Sequence, residues 1–291
     1  MIRPLEITLP GDLNEALSVL SKNENAGIIA GGTDVVPGLR QGSGRFENTS
    51  LLIDINRIKE LKGISISKRG ISIGAGETFS SIIADPVVKK ELPLLVKACG
   101  TIGSMQIRNR ATIAGNFVNN APCADSVPAL LAYDTLIEIT SLDGKRELFL
   151  REFLKSPYKT QLKKGEIVTK IIVPIPEKEY KYDFYKLGRR RAVAISRITL
   201  ALLIHMEGNL INEIRIASGA VTPIGARFSE LEKFAQGKSV NEKLLKDISS
   251  GLGKNILDIT GLRWSSEYKL PVVQQVFYEM LHKTIYGGSN E

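Results

Sequence analysis

The sequence contains little cysteine. Only two cysteines occur among its 291 residues, Cys99 and Cys123, and their positions show no paired spacing. Two isolated thiols do not form a disulfide framework, and they are too few to ligate a zinc ion or an iron–sulfur cluster. We therefore expect both thiols to be reduced and this chain to hold no metal.

Long apolar runs are also missing. No run approaches the roughly 20 residues that a membrane-spanning helix needs, and the first residues, MIRPLE, lack the apolar core of a secretion signal. We therefore expect a cytoplasmic protein without a membrane span. With 43% hydrophobic and 24% charged residues, the chain has an ordinary soluble composition and is long enough for two domains, each with its own core.

Acidic residues are outnumbered by basic ones, which gives a formal net charge of +8. Such an excess is compatible with a nucleic acid, an anionic cofactor or an acidic partner. The lysines and arginines are spread along the chain and do not form one cluster. A solvated basic surface is therefore the interpretation we favour, and we expect no nucleic acid among the partners.

The apolar pattern predicts both helices and strands, and a domain boundary near residue 176. Residues 174–176, Pro-Ile-Pro, are followed by three charged residues, which is typical of a boundary between domains. We therefore divide the chain into residues 1–176 and 177–291. The predicted elements are a hairpin of 64–66 with 71–73, a hairpin of 136–140 with 146–150, strands at 180–186, 197–207 and 210–217, and helices near 241–250 and 267–285.

The first of two glycine-rich segments is Ala30-Gly31-Gly32-Thr33-Asp34, which follows the apolar Ile28 and Ile29. This order predicts a strand, a tight turn and a helix start, a geometry that aims backbone N–H groups outward. It is not a dinucleotide-binding fingerprint, because the third glycine and the expected acidic residue are out of register. No Gly-Lys-Thr or Gly-Lys-Ser follows, which excludes a Walker-type loop. By itself, a glycine pair here is usually only a tight connection.

The second glycine-rich segment, residues 101–125, combines small residues with amide side chains, among them Asn116 and Asn119. So many short polar side chains would bury too little apolar surface for a core position unless they bond something. Two such segments together predict a large phosphate-bearing cofactor whose charge is met by backbone N–H groups.

The two segments resemble those of the flavin-binding subunit of the molybdenum hydroxylases, the family that includes xanthine dehydrogenase and carbon monoxide dehydrogenase. The family's first loop is close to Ala-Gly-Gly-Thr-Asp, as at residues 30–34, and its second contains Gln-Ile-Arg-Asn, as at residues 106–109. Its Thr-Ile-Gly-Gly-Asn corresponds to Thr112-Ile113-Ala114-Gly115-Asn116, in which alanine replaces one glycine. The resemblance extends over nearly the whole chain, including residues 186–196 and 264–281.

This resemblance implies an α+β fold. Residues 1–176 would form a two-lobed FAD-binding domain of the vanillyl-alcohol-oxidase-like type. Residues 177–291 would form the C-terminal domain of the flavoprotein subunit, an α/β domain with a three-stranded antiparallel sheet and helices.

The resemblance also implies which residues contact FAD. The two loops would surround the pyrophosphate, Ile102 would pack near the flavin ring, and Asp125 would bond a cofactor hydroxyl. From the residues alone, a surface cation is the preferred interpretation of Lys186, and Asp125 is similarly compatible with a residue at a helix N-terminus. The implied set is Ile28, Ile29, Ala30, Gly31, Gly32, Thr33, Asp34, Val35, Ile102, Thr112, Ile113, Ala114, Gly115, Asn116, Asp125, Val168 and Lys186. No catalytic residue and no metal ligand is implied in this chain.

The cofactor implied is non-covalent FAD, since His205 and His282 lie outside both loops and do not fit a histidine-linked flavin. Molybdopterin and 2Fe–2S clusters are expected in partner subunits, one large molybdopterin subunit and one small iron–sulfur subunit, assembled as a dimer of heterotrimers. The chain would take electrons from the partner's clusters and pass them to NAD or another acceptor.

Two other hypotheses remain at this point. A stand-alone FAD-dependent oxidoreductase of similar fold would turn over a small substrate without partners. A basic binding module for nucleic acid or protein, with both loops purely structural, would be colourless and would bind nucleic acid in a salt-dependent way.

Overall fold

The computed structural model describes residues 4–190 and 193–287. Within these ranges the chain forms sheets of three, five and four strands, each packed by helices, and a minor two-stranded ribbon. Separate sheets combined with helices confirm the predicted α+β class.

The first lobe is a small parallel sheet covered by a helix. Its elements, with the strands in the order β1-β3-β2, are β1 (Glu6–Thr8), α1 (Leu13–Lys22), β2 (Ala26–Ile29), α2 (Val35–Arg40) and β3 (Leu51–Asp54). Helix α1 begins after Asp12 because the side chain of Asp12 accepts a hydrogen bond from the Glu15 N–H at 2.8 Å. The apolar face of α1 is buried in the same hydrophobic core as this sheet, through Ala16, Leu17 and Leu20.

The second lobe is built on a five-stranded antiparallel sheet, in the order β4-β5-β10-β6-β7. Both predicted hairpins are present, as β4 with β5 and β6 with β7. Strand β10 lies at the centre, and Lys170 is its only residue that is not buried. The elements of this lobe are β4 (Ile64–Ser67), β5 (Gly70–Gly74), α3 (Phe79–Ala84), α4 (Pro86–Glu91), α5 (Pro93–Gly100), α6 (Met105–Arg108), α7 (Ile113–Asn119), α8 (Ser126–Ala132), β6 (Leu136–Ser141), β7 (Gly144–Phe149), α9 (Leu150–Phe153), β8 (Leu154–Ser156), β9 (Lys159–Thr160) and β10 (Ile167–Val173).

The C-terminal part is an antiparallel sheet in the order β11-β12-β13-β14, followed by three helices. Its elements are β11 (Lys181–Gly188), β12 (Ser196–Glu207), β13 (Leu210–Gly219), β14 (Ala226–Arg227), α10 (Ser229–Ala235), α11 (Glu242–Thr260) and α12 (Ser266–Tyr286). None of the helices in the described ranges, including α12, is both long and apolar enough to cross a membrane.

Strand β12 is buried on both faces, and its two faces belong to different cores. Ala201 and Leu203 join the core of the first two lobes, whereas Leu200 and Leu202 join the core under the C-terminal helices. Successive side chains of a strand point to opposite faces. The C-terminal sheet therefore lies between the two cores. The C-terminal helices pack on one of its faces, and the first two lobes pack on the other.

Two details differ from the prediction for the C-terminal part. The predicted three-stranded sheet has a fourth strand, β14, whose two residues are too few to produce an alternating pattern. Helix α11 continues to Thr260, past the predicted end at residue 250. Glycines usually weaken a helix. Gly253 of α11, however, leaves room for the side chain of Gln274 in α12, because a Cβ at Gly253 would lie 2.3 Å from Nε2 of Gln274.

The packing of α12 predicts a large difference between two phenylalanines. Phe277 is fully buried under the C-terminal sheet, whereas Phe234 is 43% exposed. We expect Phe277→Ala to lower the free energy of unfolding by about 3–5 kcal/mol, and the matched Phe234→Ala by less than about 1 kcal/mol. Urea denaturation followed by circular dichroism measures both changes. Equal losses for the two variants would contradict the assignment of Phe277 to a tightly packed core.

Candidate functional site

A cavity of about 360 Å³ lies where the two glycine-rich segments meet. Ligand sites commonly have volumes of this order. Both lobes contribute to it, and its lining residues are Ile28, Ala30, Gly31, Gly32, Thr33, Asp34, Val35, Phe46, Ile55, Ala75, Phe79, Ile102, Ile107, Ala111, Thr112, Ala114, Gly115, Asn116, Val118, Asn119, Leu162, Ile167 and Val168.

The first glycine-rich segment connects strand β2 to helix α2, as predicted. Gly32 has φ +73°, which a residue with a side chain rarely adopts. Gly31 lies against the second segment, because a Cβ at this position would be 2.0 Å from the carbonyl oxygen of Arg110. The two segments are therefore in backbone contact, and a glycine is needed at that contact.

The backbone N–H groups of Gly31–Asp34 are free of protein partners. Within the described part of the chain, none of these four groups donates a hydrogen bond to a protein acceptor. All four residues line the cavity. Unpaired N–H groups at a strand-to-helix turn are a donor set suited to an anion, phosphate above all.

The second segment is arranged differently from the prediction. It contains the short helices α6 and α7, and Thr112 caps α7 by accepting a hydrogen bond from the Gly115 N–H at 3.2 Å. The N–H groups of Ile113 and Ala114 donate to carbonyl oxygens at 2.9 Å and 3.2 Å, and that of Asn116 donates to the Thr112 carbonyl. The prediction of free N–H groups in both segments is therefore wrong for Ile113–Asn116, whose N–H groups all have protein acceptors. This part of the second segment offers side chains and closely packed backbone instead.

Most of the remaining lining is apolar. Ile102 and Val168 lie there with their side chains 8% and 5% exposed, beside Phe79 and Ile167. Such a surface suits a flat aromatic ring. The cavity therefore combines free N–H donors with an apolar surface, which are the two requirements of a ligand that carries both a phosphate and a ring.

Thirteen of the predicted residues line this cavity, and four do not. The four are Ile29, Ile113, Asp125 and Lys186. Ile113 is fully buried in the core. Ile29 packs under the turn, with its Cδ1 atom 3.4 Å from the position of a Cβ on Gly32.

Asp125 and Lys186 form a separate buried ion pair that connects the second segment to strand β11. Lys186 Nζ lies 2.6 Å from Oδ2 of Asp125 and donates to the carbonyl oxygen of Thr101 at 2.8 Å. Ser196 donates its hydroxyl to the other carboxylate oxygen. Burial raises the pKa of Asp125, while Lys186 and Ser196 lower that pKa in part.

Several lining residues were not predicted, among them Phe46, Leu162 and Asn119. The apolar ones have the same composition as core residues, so the sequence carries no local signal for them. Asn119 lies in the segment that the prediction singled out, and only the fold shows that it lines the cavity.

Comparison with known proteins gives two family matches. Residues 3–176 match the FAD binding domain in molybdopterin dehydrogenase, and residues 183–284 match the carbon monoxide dehydrogenase flavoprotein C-terminal domain.

Individual relatives match over almost their whole length. The chain is 37% identical to the glyceraldehyde dehydrogenase medium chain of Sulfolobus acidocaldarius, over 90% of this chain and 92% of the relative. It is 31% identical to the xanthine dehydrogenase FAD-binding subunit of Escherichia coli O157:H7, over 94% and 93%. Carbon monoxide dehydrogenase from Hydrogenophaga pseudoflava has a similar structure, with a TM-score of 0.90, 27% identity and 98% coverage of both chains.

The contact of Gly31 with Arg110 predicts a steric effect. We expect Gly31→Ala to lower the free energy of unfolding by about 1–3 kcal/mol, because the added methyl group overlaps a backbone carbonyl and forces the two segments apart. Gly100→Ala is the matched control, since a Cβ at Gly100 meets nothing within 4 Å. Thermal unfolding measures both, and a Gly31→Ala protein as stable as the control would refute the close contact.

The Asp125–Lys186 pair predicts a pH-dependent loss of stability. In Lys186→Met the buried carboxylate keeps only Ser196, so we expect a loss of about 3 kcal/mol near neutral pH. The pKa of Asp125, already raised in the folded state, rises further without Lys186. Stability is therefore retained below the unfolded-state pKa of about 4 and lost as the pH rises through the folded-state pKa.

Chemical denaturation at several pH values between 4 and 8 tests this. The deficit of Lys186→Met should grow with pH, and Asp125→Asn in the same chain should remove that trend. Lys164→Met is a surface control, because its pair with Glu24 is exposed, and its loss should stay below about 1 kcal/mol. A deficit for Lys186→Met that is independent of pH would show that Asp125 is not ionised in the folded chain.

Proposed function

This chain belongs to the family of FAD-binding subunits of the molybdenum hydroxylases, and from this membership and the cavity we propose that it is the electron-transfer subunit of such an oxidoreductase. When bound, FAD would accept electrons from the iron–sulfur clusters of a partner subunit and pass them to NAD or another acceptor. The residues of this chain bind the cofactor and orient it.

The observation that carries the proposal is the row of free N–H groups at Gly31–Asp34 in a largely apolar cavity. The N–H groups suit the diphosphate of FAD, whose charge they meet without a counter-ion. Ile102 and Val168 suit the flavin ring. The two kinds of surface therefore match the two chemically different parts of one molecule.

Residues Thr112–Asn116 of the second segment would contact the cofactor mainly through side chains and close backbone packing, since the N–H groups of Ile113–Asn116 are already bonded. The amide of Asn116 is held by its Oδ1, which accepts a hydrogen bond from Ser126 at 2.7 Å. This leaves the Nδ2 donor of Asn116 for the cofactor. Ile29 and Ile113 support the two segments from the core and keep them in place.

Asp125 and Lys186 would act beside the cavity. A carboxylate has about four acceptor positions, so the hydrogen bonds from Lys186 and Ser196 leave capacity for a cofactor hydroxyl. Lys186 also holds the carbonyl oxygen of Thr101, which precedes the lining residue Ile102. The pair would thus orient the backbone that contacts the flavin ring.

The lining favours non-covalent binding. Within the described part of the chain it contains no histidine, cysteine or tyrosine, the side chains that could form a bond to a flavin. Asp34 is its only ionisable side chain. Because the described lining holds no acid–base pair, the chain would bind and orient the cofactor and would not transfer protons.

The proposed assembly is a dimer of heterotrimers with a large molybdopterin subunit and a small iron–sulfur subunit, located in the cytoplasm. Relatives named as medium chains support a multi-subunit enzyme. Within this chain we propose a two-lobed FAD-binding domain of the vanillyl-alcohol-oxidase-like type at residues 1–176 and a C-terminal domain at 177–291. The family matches at 3–176 and 183–284 support that division.

Flavin removal from the complex tests the function. The three subunits, co-expressed and purified together, should release intact FAD on acid denaturation and leave this polypeptide at its unmodified mass. After FAD is removed, substrate should still bleach the visible absorption of the iron–sulfur clusters. Reduction of NAD or of an artificial acceptor should be lost and should return when FAD is added.

Release of no flavin, or turnover that persists without it, would contradict the proposal. Substrate oxidation by the isolated, FAD-loaded chain would instead favour a stand-alone oxidoreductase.

A further inference from the structure

The guanidinium group of Arg45 connects the two glycine-rich segments. Its Nη1 atom donates to Oδ2 of Asp34 at 2.8 Å and to Oδ1 of Asn119 at 2.7 Å. Asp34 belongs to the first segment and Asn119 to the second, and both line the cavity. Arg45 therefore joins two groups of the site that are far apart in sequence.

Aromatic rings on both sides hold the guanidinium group in place. It lies 4.6 Å from the ring centroid of Tyr158 and 5.0 Å from that of Phe46. Phe46 itself lines the cavity and packs on helix α2, where a Cβ on Gly38 would be 2.3 Å from its ring. Stacking on aromatic faces is favourable for a guanidinium and reduces its freedom. The arginine is thus pre-positioned at the edge of the cavity, with 31% of its side chain exposed.

The position of Asp34 gives this arrangement an electrostatic consequence. Asp34 ends the row of four free N–H groups, and it is the only ionisable side chain of the described lining. An unpaired carboxylate at that place would repel a diphosphate and cancel part of the attraction of the N–H groups. Its ion pair with Arg45 removes that repulsion.

We infer that Arg45 is a positioning residue of the cofactor site, which neutralises Asp34 and holds Asn119 so that the two segments together accept a diphosphate. The inference rests on the proposed function, since it takes FAD as the ligand. Arg45 acts through Asp34 and Asn119, and it was not among the residues that the sequence pointed to.

A charge-swap series measures this role. FAD binding to the full chain, freed of flavin, is measured by fluorescence quenching at low and high ionic strength. We expect Arg45→Met to raise the Kd about tenfold or more at low ionic strength, and salt to reduce the difference. Asp34→Asn combined with Arg45→Met should recover most of the affinity, because the repelling carboxylate is gone.

Two further variants make the result specific. Arg69→Met, which removes an exposed pair with Glu147 at 2.6 Å in the second lobe, should leave the Kd unchanged. Asp34→Asn alone should lower the Kd at low ionic strength, because Arg45 then stands beside the cofactor as an uncompensated cation. If circular dichroism shows that Arg45→Met does not fold, the Kd of Asp34→Asn alone tests the inference.

An Arg45→Met chain with wild-type affinity, a loss that Asp34→Asn does not recover, or an unchanged or raised Kd for Asp34→Asn alone would each overturn the inference. Failure of the wild-type chain itself to bind FAD would overturn the proposed function instead. The two failures are therefore distinguishable.

Discussion

The rest of the site depends on the contact between Gly31 and the backbone at Arg110. Because a Cβ at Gly31 would lie 2.0 Å from the Arg110 carbonyl oxygen, the two segments meet at a distance that only glycine permits. Beside this contact lies the cavity between the lobes, which is lined by Gly31–Asp34, whose N–H groups have no protein acceptor in the described part of the chain. In the second segment the Thr112 side chain caps helix α7, and the N–H groups of Ile113 and Ala114 donate to the carbonyl oxygens of Glu77 and Ala75. These bonds fix the start of α7 at the cavity.

The C-terminal sheet has a comparable role on a larger scale. The alternate residues of β12 enter two cores, so the sheet cannot move without disturbing both. The Asp125–Lys186 pair adds a specific link between that sheet and the second segment. Under the proposed function the chain would have to hold its cofactor at fixed distances from donor and acceptor, and a sheet shared by two cores would provide such a frame.

Much of the fold follows from local pattern. Both hairpins and the long C-terminal strands were predictable, since alternation and turn residues act over a few positions. The two glycine-rich segments were also recognisable as parts of one site. What the sequence could not show depends on contacts between distant residues. Arg45 meets Asn119 across 74 positions. Gly253 of α11 packs against the side chain of Gln274 in the next helix, and the N–H groups of Ile113 and Ala114 find their acceptors at Glu77 and Ala75, outside the second segment.

The central claim is that FAD lies in the cavity with its diphosphate on the first segment. An experimental structure of the chain with FAD bound tests this most directly. The account predicts diphosphate oxygens within about 3 Å of the backbone nitrogens of Gly31–Asp34, with the flavin ring against Ile102 and Val168. FAD bound at another surface, or bound here with its diphosphate away from those nitrogens, would contradict it.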